Sequence, residues 1–137
     1  MDELTFHMTP DGDGLWRLHA DLRTDAFSGK GWSWAIPDDL LAFAEQLSAY
    51  PILAESPATL RLVYDQGEGD DLRLKVQVRP FGSLGRLVVR VEIADPDDPS
   101  CRLKAKFGAD YASIARWIPA LRSLAAGRRE EATLSGS

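Results

Sequence analysis

The chain's only imidazoles are His7 and His19, and imidazole is the side chain best suited to metal binding or proton transfer near neutral pH. Both lie in alternating segments, LTFHMT at 4–9 and LWRLHADLRT at 15–24, with the turn sequence PDGDG between them. A hairpin turning near residue 13 sets His7 opposite His19, with Asp21 nearby. Two imidazoles and a carboxylate are ligands that zinc accepts. Their spacing matches no established ligand motif, so they read as exposed histidines and no metal is assigned. Asp11, Asp13 and Gly14 resemble the opening of a calcium loop. Leu15 then occupies the fifth position, where an oxygen is needed, and no glutamate closes the loop at the twelfth.

Other chemistry is equally sparse. Gly29-Lys30-Gly31 lacks the upstream glycine and the following Ser or Thr of a phosphate loop, and a strand follows it instead of a helix. Those glycines read as a bend or bulge in a strand. Cys101, the single cysteine, neighbours Arg102, and a cation can activate a thiol. No histidine is close in sequence to serve as its base, so the thiol reads as incidental. The carboxylate pairs Asp70-Asp71 and Asp97-Asp98 fall in turn sequences, where solvation explains them. No G-x-S-x-G, H-E-x-x-H or C-x-x-C occurs. No catalytic residue and no cofactor is therefore assigned, and the chain reads as a non-enzymatic protein.

Trp32 and Trp34 stand two apart in "GKGWSW" and share one face of a strand. With Ile36 they are expected to point into the core, leaving Ser33 and Ala35 outside. Trp16 adds a third indole on the hairpin's apolar face. Each ring buries about 150–250 Å², so indoles filling the gap between sheet and helices are the expectation. The alternative is a small-ligand pocket lined by Trp16, Trp32 and Trp34 against the first helix.

Charge is distributed unevenly. The chain carries −5 overall. The polar positions of the expected strands hold Arg17, Arg23, Arg61, Arg73, Lys75, Arg79, Arg86, Arg90, Arg102, Lys104 and Lys106 against only Asp21, Asp65 and Glu92. These faces sum to +8 and the rest of the chain to −13. Long basic stems also solvate a sheet face and discourage edge pairing, which is the ordinary explanation. The functional alternative is electrostatic docking of an acidic protein partner, with Arg73, Lys75, Arg90, Lys104 and Lys106 as contacts. Nucleic acid fits less well, because acidic loops flank the face and no aromatic side chains are interleaved with the cations for base stacking.

The elements that must position these residues read in the order β-β-β-α-β-β-β-β-α. Strands are expected at 4–9, 15–24, 31–36, 58–66, 71–80, 85–94 and 101–108, separated by turns such as QGEGD, PFGSLG and DPDDPS. Pro37 opens a helix with Asp38 and Asp39 in its first turn. Leu40, Phe43, Ala44 and Leu47 form its apolar stripe. Asp110 caps a second helix with Tyr111, Ile114, Ile118, Leu121 and Ala125 along one face, and Pro119 should kink or divide it. The fold class is α+β: one antiparallel sheet of six to seven strands, with both helices packed on one face. Residues 1–126 form a single domain, and 127–137 are expected to fray. The length of 137 residues suits one domain. One cysteine and the lack of a long apolar run suggest a cytoplasmic protein without signal peptide or membrane span. The sequence does not set the oligomeric state.

From about Trp16 to Leu124 the chain resembles a family of small bacterial proteins. The resemblance lies in "WSWAIPDDLLAFAEQLSAYP", "LRLKVQVRPFGSLGRLVVRVEI" and "LKAKFGADYASIARWIPALRSL". It is a pattern of an aromatic strand before a short helix, a meander, and an F-x-x-D-Y helix start at Phe107, Asp110 and Tyr111. Proteins similar to these include WapI-type immunity proteins, which neutralise a toxin domain. The resemblance implies a binding protein and transfers no catalytic residue.

Overall fold

The alternating segments pair as the turn chemistry requires. The computed structural model describes residues 1–63, 71–82, 84–98 and 100–137. Along them run β1 (Glu3–Pro10), β2 (Trp16–Arg23), β3 (Ser28–Ala35), α1 (Pro37–Leu47), β4 (Ala58–Val63), β5 (Leu72–Pro80), β6 (Arg86–Ala94), β7 (Arg102–Asp110), α2 (Tyr111–Ala125) and β8 (Glu131–Ser135). Asp65, the end of the expected fourth strand and the turn Gln66–Asp70 lie outside the described residues.

The α+β class and antiparallel pairing hold, but one continuous sheet does not form. There are two four-stranded sheets: sheet 1, ordered β3-β2-β1-β8, and sheet 2, ordered β4-β5-β6-β7. The break falls at β3. A Cβ on Gly29 would meet Leu103 Cδ2 of β7 at 2.5 Å, and one on Gly31 would meet Ile93 Cγ2 of β6 at 2.5 Å. Strand β3 therefore crosses the inner side of sheet 2 instead of extending it. Its inward residues, Gly29, Gly31, Ser33 and Ala35, are all small, which lets two backbones approach. Two facing sheets bury both apolar faces, whereas two short helices could not cover a single sheet of eight strands.

The helices close the same core. Helix α1 buries Leu40, Phe43, Ala44 and Leu47, the stripe expected from the sequence. Pro37 starts it, and Asp39 Oδ2 accepts the Ile36 amide at 2.9 Å. Helix α2 is capped by Asp110, whose Oδ1 accepts the Ser113 amide at 2.8 Å. It runs through the exposed Pro119 as one helix from Tyr111 to Ala125. Its buried face is Ser113, Ile114, Trp117, Ala120, Leu121 and Leu124, rotated from the expected one. Trp117, 1% exposed, is the indole at the centre, with Phe6 and Phe43 at 5.4 and 5.6 Å between ring centroids.

The expected frayed tail instead contributes a strand. Strand β8 pairs with β1, Leu134 opposite Leu4 and Ala132 opposite Phe6, and both of its apolar side chains are fully buried. Beyond it, the Ser137 amide donates to the Gly108 carbonyl of β7 at 2.9 Å. Among the described residues, no helix is long and apolar enough to cross a membrane.

Candidate functional site

Each sheet turns its other face outward. On sheet 2 the period of two places alternate side chains of β5, β6 and β7 outside, and the strand register sets their neighbours. One row across the strands reads Arg61, Lys75, Glu92, Lys104, and the next reads Thr59, Gln77, Arg90, Lys106. Lys75, Arg90, Lys104 and Lys106, four of the five expected contacts, thus surround one open depression of about 470 Å³. Its floor is the β6–β7 backbone at Val91 and Ala105. Glu92 is the carboxylate among them. It lies 3.4 Å from Arg102 and 3.8 Å from Lys104, so it ties these two side chains to one point, while among the described residues no carboxylate pairs with Lys75, Arg90 or Lys106.

Arg73, the fifth expected contact, lies elsewhere. Its guanidinium donates to the Pro96 carbonyl at 2.7 Å and to Asp71 Oδ2 at 3.1 Å. It borders a small crevice with Trp32, Trp34 and Pro96. The alternation of β5 placed it correctly on the polar face, but the strand end it occupies lies under the β6–β7 turn.

The outer face of sheet 1 has a different character. The row across its strands is Glu131, His7, His19, Trp32. The expected opposition of His7 and His19 is present, and their rings stack with centroids 5.2 Å apart and planes 28° apart. Among the described residues, no three His, Cys, Asp or Glu side chains converge as a metal site needs. His19 Nε2 shares a hydrogen bond with the Thr9 hydroxyl at 3.1 Å. Burial first, then the neighbouring His7 and Arg17, push its pKa below that of a free imidazole. Cys101 is exposed. Its thiol pKa is raised by its hydrogen bond to Asp98 and by that carboxylate's charge, the opposite of an activated nucleophile.

The expected tryptophan arrangement is inverted. Trp32 and Trp34 sit on the outer face of β3, while Ser33 and Ala35 are buried. Trp16 alone packs against the core. The three indoles are therefore on opposite faces and line no common pocket against α1. The outer pair is structurally occupied. Trp34 Nε1 donates to Asp11 Oδ2 at 2.8 Å, Arg17 stacks 4.3 Å above the Trp32 ring, and Arg17 Nε lies 3.3 Å from Asp11. A depression of about 640 Å³ lies over this face. Its strongest recognition groups, Arg17 and Trp32, already engage each other.

No protein-family model matches the chain, and it matches no curated protein and no solved structure.

Proposed function

We propose that this protein is a binding protein of the immunity or antitoxin type, which acts by docking an acidic surface of a protein partner onto the outer face of sheet 2. The observation behind this reading is the grouping of Lys75, Arg90, Lys104 and Lys106 around one uncovered depression in a chain whose net charge is −5. A cationic face on an anionic molecule raises the encounter rate with acidic partners and orients them, and both effects weaken with salt. The acidic turn at Asp95, Asp97 and Asp98 disfavours a phosphate polymer approaching the same side.

The test uses poly-L-glutamate as probe and a variant with Lys75→Gln, Arg90→Gln and Lys106→Gln. The native chain should bind at about 50 mM salt and release at about 500 mM, across the range in which salt screens out attraction between exposed charges. The variant should bind at least about tenfold more weakly with an unchanged thermal midpoint, as expected for surface substitutions. Equal binding by the variant would reduce the face to a solvated surface. A single-stranded oligonucleotide binding more tightly than polyglutamate would replace the protein partner with nucleic acid.

A further inference from the structure

Sheet 2 has two edges, and the chain treats them differently. At β4 the outward amide and carbonyl of Thr59 are both taken by one side chain of α1: Gln46 Oε1 accepts the amide at 3.0 Å and Gln46 Nε2 donates to the carbonyl at 3.3 Å. A glutamine thus stands in for a neighbouring strand and covers the edge. At β7 the cover begins and stops. The Ser137 amide reaches the outward carbonyl of Gly108 at 2.9 Å. In an antiparallel ladder, residues two apart direct their backbone groups to the same side. Lys106, Lys104 and Arg102 therefore present their amides and carbonyls outward on the edge Gly108 belongs to. Among the described residues, no backbone group bonds to these three from outside.

Burial along β7 changes at the same point. Phe107 and Ala109, beside Gly136 and α2, are 4% and 1% exposed. Leu103 and Ala105, on the same inner side, remain half-buried. The uncovered stretch thus offers cations on its outer side, half-buried apolar side chains on its inner side, and an unpaired backbone between. Lysine at an edge deters neutral strands from adding there, and the same charge selects an acidic one.

The geometry points to strand addition: the partner supplies an extended segment, alternating acidic and apolar, that pairs with β7 from Arg102 to Lys106. This inference rests on the basic-face reading and specifies how that face is engaged. Alternate residues of a strand are about 7 Å apart on one face. Carboxylates at every second position therefore fall opposite Lys104 and Lys106, while the intervening apolar residues cover Leu103 and Ala105. Backbone pairing supplies the register and the charges supply the choice of partner.

The test is a ten-residue peptide of alternating Val and Glu, with two relatives: one with Gln for Glu, and one N-methylated at every residue so that neither of its edges can pair. The acidic peptide should bind and slow hydrogen exchange of the Lys104 and Lys106 amides at least about tenfold. The Gln peptide, the N-methylated peptide and a Lys106→Glu chain should each lose that protection. If the N-methylated peptide binds as tightly and protects neither amide, strand addition is wrong while electrostatic docking stands. If the acidic peptide does not bind while polyglutamate does, strand addition is wrong and electrostatic docking stands; if neither binds, both readings fall. If the Gln peptide binds equally well, charge does not select the segment and the inference is overturned.

Discussion

At the scale of single residues, His19 shows how a pattern that first suggests chemistry resolves into environment. The hairpin register that sets it beside His7 follows from the turn at residues 10–14, so the pairing was legible. Ring stacking and the bond to Thr9 were not, because they depend on side-chain torsions that alternation does not specify. Its lowered pKa has a consequence for stability. The unfolded chain binds the proton more readily than the folded one, so the contribution of His19 is complete above an ordinary imidazole pKa of about 6.5 and is lost as pH falls toward the folded value. Asp98 and Asp110, held low by their bonds to Ser100 and Ser113, keep their charge throughout this window. The thermal midpoint should therefore drop between pH 7.5 and 5.5, and His19→Gln should flatten that drop. An equal drop in the His19→Gln chain would assign the effect to other groups.

At the scale of elements, β3 is where size and pattern conflict. Placing large apolar side chains inward is sound for a strand facing a gap between sheet and helices. Strand β3 faces another sheet's backbone, and there the small residues must be inside. Only tertiary contact decides between the two phases, because a strand with Gly29, Gly31, Ser33 and Ala35 on one side and Lys30, Trp32 and Trp34 on the other alternates equally well either way up. The same glycines provide the test. At Gly31 a new Cβ would also meet the Ala94 carbonyl oxygen at 2.8 Å, and backbone cannot rotate aside. Gly31→Ala should destabilise by about 1–3 kcal/mol, the usual cost of overpacking. At Gly29 the obstacle is the end of the half-buried Leu103 side chain, which can turn away. The lower entropy of alanine in the unfolded chain offsets part of the remaining strain, so Gly29→Ala should cost under about 1 kcal/mol. Urea unfolding of the two variants compares them directly, and equal losses would mean that β3 does not approach β6 as closely as its contacts indicate. Helix α1 shows the opposite situation. Its proline, its acidic first turn and its apolar stripe all agree, and its buried face was legible residue by residue.

At the scale of the whole molecule, the two sheets are joined at both ends of sheet 1. Strand β3 crosses β6 and β7 at one end, and β8 with Ser137 reaches β7 at the other. The segment EATLS is too short and too polar to announce a strand, and its role depends on the groove that β1 and α2 leave beside it. Ala132 and Leu134 drop into the cluster that holds Leu4, Phe6 and Trp117, so the last strand helps to seal the core. A local C-terminal appendage could detach with little loss. A sealing strand cannot, because removing its apolar side chain leaves a cavity in the core beside β1 and α2. Leu134→Ala should therefore cost about 2–5 kcal/mol. The loss should lower one cooperative transition, seen alike in the tryptophan signal near Trp117 and in far-ultraviolet dichroism, because the core is continuous. A change below about 0.5 kcal/mol, the size expected at an exposed surface position, would return β8 to the status of a tail and remove one of the two joins between the sheets.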